Sequence, residues 1–218
     1  MKKTQVMAFN LEDACEVEVK TLGGAKLEVV QDFKYLGAWI ASSAKDIKAR
    51  RALPWSALHK MKEIWESDME RGLKRRLFVS TVECVLIYGC EAWALTVKEE
   101  KALDGIYTRM LRMALNVSWE DHMRNTELYG DLPRLSDKIR QRRMELAGHC
   151  WRHRELAASE LILWEPKHGS RNRGLQRTTL IDTLKRDTGL SSVDEIRTLM
   201  EEREEWRRAI RGSHVGVG

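Results

Sequence analysis

The chain has 218 residues, 43% of them apolar, and its 38 Lys and Arg against 33 Asp and Glu leave a net charge of +5. That apolar fraction supports a packed core and excludes a wholly disordered chain, while three prolines are too few for a loop-rich or all-β protein. No run approaches the roughly 20 apolar residues of a bilayer span, and Met1-Lys2-Lys3 leads into mixed polar sequence without a signal-peptide core. Cys15, Cys84, Cys90 and Cys150 lie too far apart for a disulfide framework. The expectation is a soluble, mainly α protein of the nucleus or cytoplasm, with no membrane partner.

Val17 and Val19 alternate with Glu16, Glu18 and Lys20, a period of two that predicts a half-buried strand. Gly23-Gly24 is a turn, and residues 26–30 return as a second strand. Phe33-Lys34-Tyr35-Leu36-Gly37 repeats the alternation and ends on glycine. This predicts a short antiparallel β segment, with Val6 and Phe9 as a further edge. Helical spacing begins near Asp46 and carries Leu58, Met61, Ile64 and Trp65; Pro54 within it predicts a kink or break. Residues 77–88 are apolar on most sides and predict the buried central helix. Thr96 with Glu99 is a capping box for a helix bearing Leu103, Ile106, Tyr107, Met110, Leu111 and Ala114. Ser118 with Asp121 predicts a short helix, and Ser136 the cap of one carrying Ile139, Leu146, Ala147 and Cys150. A C-terminal helical hairpin follows, its first helix stopping at Gly189 and its second opening on a Ser192/Glu195 box and bearing Ile196, Leu199, Trp206 and Ile210.

Charge is uneven. Residues 138–177 hold ten bases (Lys138, Arg140, Arg142, Arg143, Arg152, Arg154, Lys167, Arg171, Arg173, Arg177) and four acids, with Trp151 and Trp164 interleaved. Guanidinium forks beside flat aromatic surfaces suit phosphates and bases; the alternative is a solvated helix face. A second group, Arg71, Lys74, Arg75 and Arg76, sits where a helix start disfavours cations. A phosphate partner explains it, and so do ion pairs with Glu66, Asp68 or Glu70. His149, Cys150 and His153 cluster, but without a second ligand pair no metal or other cofactor is assigned. Cys84 and Cys90 read as small core residues. There is no Gly-x-Ser-x-Gly, P-loop or dinucleotide fingerprint, so no catalytic residue is assigned.

The words of the sequence are also familiar. Residues 86–96, Leu-Ile-Tyr-Gly-Cys-Glu-Ala-Trp-Ala-Leu-Thr, resemble a signature of non-LTR (LINE-type, RTE-like) retrotransposon reverse transcriptases. So do the Phe33–Gly37 word, Leu111-Arg112 with Trp119, Arg142-Arg143 before Ala147-Gly148-His149, and His168-Gly169 with Arg171, Arg173 and Gly174. The resemblance implies a palm edge over 1–43 with a primer-grip-like hairpin at Phe33, Tyr35, Leu36 and Gly37. It further implies a thumb-like helical region over 44–116, a basic post-thumb region over 117–177 and the helical hairpin with a frayed tail over 178–218. The family holds Mg²⁺ on clustered aspartates that include an adjacent pair, and no Asp-Asp occurs in this chain. The expectation is therefore a non-catalytic fragment of an RNA-directed DNA polymerase that binds RNA/DNA hybrid or duplex independently of sequence. Its candidate contacts are Lys74, Arg75, Arg76, Arg140, Arg142, Arg143, Arg152, Arg171, Arg173 and Arg177. A helical scaffold or interaction module, or a decayed element copy, is the alternative. An exposed β edge without its palm implies self-association.

Overall fold

The N-terminal alternation forms strands in the computed structural model, which describes residues 4–7, 18–30, 33–35, 38–39, 43–164 and 178–212. The chain divides into two units, Met1–Ala49 and Arg50–Gly218. In the first, β2 (Val19–Lys20) and β3 (Lys26–Val30) form an antiparallel hairpin in the register Val19↔Leu27 and Lys20↔Lys26. Its turn needs Gly24 at φ 77°, a backbone angle that side chains disfavour. β1 (Gln5–Met7) lies on the other edge of β3 and pairs in parallel, with Val6 opposite Val29. Phe9 and Val17, also read as strand, lie outside the described residues. β4 (Lys34–Tyr35) and β5 (Ala38–Trp39) make a second, two-stranded antiparallel pair around Leu36 and Gly37, which lie outside the described residues.

The rest is helical. α1 (Ser43–Lys60) opens in the first unit, where the buried Asp46 carboxylate accepts from the Trp39 backbone N–H at 3.4 Å. It runs through Pro54 and ends before Met61, so of the expected kink or break the break is corrected. Proline deletes one backbone donor, and the turns on either side keep their own bonds. After α2 (Lys62–Glu66), α3 (Arg71–Phe78) continues through a π turn at Val79–Glu83 into α4 (Cys84–Leu86). This is the central helix read from the sequence, burying Phe78, Val82, Leu86 and Ile87. The π turn was not foreseen. Its extra residue shifts the helical register, and Glu83, 3% exposed, lies within it.

α5 (Val97–Ala114) opens on the Thr96/Glu99 box and buries Leu103, Tyr107, Met110, Leu111 and Ala114. Ser118 and Asp121 form only a turn, with the Ser118 N–H donating to Asp121 Oδ2 at 2.7 Å; the next helix, α6, spans Asn125–Tyr129. α7 (Leu135–Arg152) is not capped by Ser136, whose N–H and hydroxyl instead donate to the Asp104 carboxylate at 2.9 and 2.7 Å. α8 (Ala157–Leu161), α9 (Leu180–Thr188), α10 (Val193–Glu201) and α11 (Arg203–Gly212) complete the chain. α9 opens on a Thr179/Asp182 box and ends at Gly189, φ 74°. The last predicted helix is divided at Glu202, which is extended. α10 keeps its Ser192/Glu195 box. α7 gives Met144, Ala147 and Trp151 to a core completed by Ile181, Leu184, Ile196, Met200, Trp206 and Ile210. Among the described residues, no helix is long and apolar enough to cross a membrane.

Two buried acids elsewhere in the helical unit, Cys90 and Tyr107, are expected to make it sensitive to alkali. Burial pushes the Cys90 thiol up to about 12, from an ordinary value near 9.0. Tyr107 is also raised, by burial first and then by the Glu83 carboxylate that accepts its hydroxyl at 2.6 Å. An acid whose folded pKa is raised contributes stability that is complete below its unfolded pKa and is lost above it. Stability by urea titration is therefore expected to fall as pH rises from about 9, and Cys90→Ala to flatten that fall. An equal slope in the two proteins would refute the assignment. Cys84, read as a core residue beside Cys90, is corrected: it is exposed.

Candidate nucleic-acid interface

The signature word at residues 86–96 is a clasp for the later helices. After α4, Gly89, φ 74°, opens a 3-10 turn at Cys90–Ala92 that leads to Trp93, 2% exposed. The Trp93 carbonyl accepts from Arg143 Nη1 on α7 at 3.2 Å, and the Leu95 carbonyl from Arg186 Nη1 on α9 at 3.0 Å. Arg143, Ala147 and Gly148 of the words at residues 142–149 lie on the buried face of α7, while Arg142 and His149 are exposed. Gly148 is where the Trp206 indole lies against the helix, its Nε1 donating to the Met144 carbonyl at 2.9 Å.

Several candidate cations have internal work. Lys74, 5% exposed, donates from Nζ to the Trp65 and Ser67 carbonyls at 2.6 and 2.7 Å. A cation satisfies the electronegative end of α2 there, which accounts for the base near the start of α3 without a phosphate and without Glu66, Asp68 or Glu70. Arg75 donates to the Glu127 and Leu128 carbonyls at 2.7 and 3.0 Å, tying α3 to α6. Arg143, 1% exposed, donates from Nε and Nη2 to Asp187 Oδ2 at 2.8 and 2.5 Å. Arg140 Nη2 donates to the Asp187 carbonyl, and its Nε lies 3.8 Å from Oδ1. Arg152 Nη1 donates to the Met200 carbonyl at 2.9 Å. The reading of Lys74 and Arg143 as phosphate contacts is corrected, because neither charge reaches the surface.

The other described bases of the run, Lys138, Arg142 and Arg154, also have partners within the chain. Lys138 pairs with Glu83 at 2.6 Å and Arg142 with Glu91 at 3.5 Å, the latter pair more open. Arg154 lies 3.6 Å over the Trp151 ring and 3.5 Å from Glu201. The interleaved arginine and tryptophan thus stack on each other. Arg71 and Arg76 are exposed on α3. Arg171, Arg173 and Arg177 lie outside the described residues, as do the primer-grip-like Leu36, Gly37 and the Tyr35 side chain; Phe33 is half-buried. Among the described residues, no group of three or more His, Cys, Asp or Glu is placed to hold a metal ion. Trp119 and Trp164 are 79% and 61% exposed.

The structure assembles a different basic site. Arg203, Arg207 and Arg211 recur every fourth residue along α11 and so share a face. With Arg152, Gln141, Glu145, Trp206 and Ile210 they line a cleft of about 280 Å³ between α7 and α11. Arg152 is held below the ordinary guanidinium range by burial first, then by the charges of Arg203 and Arg207. Arg207 pairs with Glu204 at 2.6 Å, whereas Arg203 and Arg211 have no carboxylate within ion-pair distance among the described residues. This trio leaves no charge signal in the sequence, because residues 201–211 hold four Arg and four Glu and the local charge cancels. The four-residue period was the available signal.

Fold and site together describe a mainly helical protein with a small N-terminal sheet and an arginine-lined cleft. The chain is similar to an uncharacterised transposon-derived protein of Caenorhabditis elegans, 24% identical over 226 residues that cover 96% of this chain and 81% of that protein. No family model and no solved structure matches the chain.

Proposed function

We propose that the chain is a non-catalytic part of a non-LTR retrotransposon reverse transcriptase, comprising thumb-like and post-thumb regions, that binds the RNA/DNA duplex independently of sequence. The observation that carries this reading is the ordered run of family words, spread over the same extent of chain that aligns with a transposon-derived protein. The absence of any Asp-Asp pair supports a role without polymerase chemistry. Exposed Arg71 and Arg76, the open Arg142 and the α11 arginines support backbone contact. A second reading, a helical scaffold, is favoured by the internal partners found for Lys138, Arg140, Arg142, Arg143, Arg152 and Arg154.

Salt separates the two. Four neutralised phosphates lower affinity about a hundredfold between about 50 and 200 mM salt. Fluorescence anisotropy on an RNA/DNA hybrid is expected to show a fall of that order, alike for unrelated sequences. Binding that is absent or insensitive to salt would leave the scaffold reading.

A further inference from the structure

The cleft between α7 and α11 has a chemical identity of its own. Four guanidinium groups surround about 280 Å³, and the one acid lining it, Glu145, also accepts from Gln141 at 2.8 Å. Its walls are fixed. Arg152 is tied to the Met200 carbonyl and Trp206 to the Met144 carbonyl, each at 2.9 Å, so both helices are held where the arginines converge. Like charges gathered at a rigid site cost free energy, which an anion of matching charge offsets.

We propose that this cleft is a binding site for phosphate groups, with Arg203 and Arg211 as its principal contacts and Arg152 and Arg207 completing the cationic wall. Phosphate suits it better than carboxylate for two reasons. A phosphate group or short phosphate chain brings several oxyanions into a small volume, and guanidinium forks bind them in pairs. Arg203 and Arg211 lie about 12 Å apart along the helix at 1.5 Å rise per residue, which suits a row of anions. The row is supplied either by a nucleic-acid backbone or by free pyrophosphate. The proposal deepens the duplex-binding reading in the first case and stands without it in the second.

Arginine side-chain N–H signals of the full chain, followed by NMR at constant ionic strength, are expected to shift with inorganic pyrophosphate and not with chloride. Arg203→Gln with Arg211→Gln, both exposed, is expected to keep the melting temperature and weaken pyrophosphate binding about tenfold or more. Arg208→Gln, at a residue 72% exposed that does not line the cleft, is expected to change nothing. If the hybrid binds and the double substitution also weakens it, the ligand is the nucleic-acid backbone. If pyrophosphate binds in the cleft but the hybrid does not bind, the site serves free phosphates and the duplex reading fails. If the hybrid binds with a steep salt dependence that the double substitution leaves intact, and pyrophosphate shifts no signal, the cleft proposal is overturned and the duplex reading survives. A glutamate-rich peptide that binds as tightly as pyrophosphate overturns it as well.

Discussion

Replacing Asp187 with alanine is expected to destabilise the helical unit by about 3–5 kcal/mol, the usual consequence of stranding one member of a buried ion pair. Arg143 is 1% exposed, and the Asp187 carboxylate receives both its Nε and its Nη2; the nearest other acid, Glu100, is 3.9 Å away. Without Asp187 the guanidinium keeps one good bond, to the Trp93 carbonyl at 3.2 Å. Its remaining charge is left without water, facing only Glu100, which Arg186 already engages at 2.5 Å. Urea titration measures the loss. Adding Arg143→Met is expected to restore most of it, since an apolar side chain of similar volume removes the stranded charge. A loss under about 1 kcal/mol for Asp187→Ala would mean that Arg143 regains water, contrary to this account. Charge reversal at Arg143 is accordingly a test of folding, and a loss of nucleic-acid binding in such a variant carries no information about contacts.

Gly148→Ala is the second large effect. A methyl there would stand 2.3 Å from Trp206 Nε1, 2.6 Å from its Cδ1 and 3.0 Å from Arg152 Nη1. Neither obstacle yields easily. The indole is 1% exposed and anchored to the Met144 carbonyl, and Arg152 is held by Met200. Overpacking with loss of a buried hydrogen bond costs about 3 kcal/mol. Displacing Trp206 also shifts α11, so pyrophosphate binding is expected to fall with stability. Gly105 on α5 is the control. Nothing lies within 4 Å of a Cβ there, and Gly105→Ala is expected to stabilise by up to about 1 kcal/mol. If thermal melting ranks the two substitutions equally, the close approach of α11 to α7 is wrong.

These two sites bear on what the family words mean. Trp93, Arg143 and Gly148 all lie in them, and in the structure these three close the bundle, while Gly89 supplies the left-handed turn before Cys90. Part of these words packs in this way, while Tyr88, Trp119, Arg142 and His149 of the family words are exposed.

The sequence by itself determined the order of elements, the capping boxes at Thr96 and Ser192, the stop at Gly189 and the apolar stripes, because these depend on neighbours a few residues apart. Only the tertiary structure decided which charges are spent and which are presented. Asp187 lies 44 positions from Arg143, and Glu83 lies 55 from Lys138; no local pattern shows that each neutralises a base of the run at 138–177. The same long-range folding brought Arg152 beside Arg203, Arg207 and Arg211. Charge acts through space, and a chain that bends back on itself cancels it in one place and concentrates it in another.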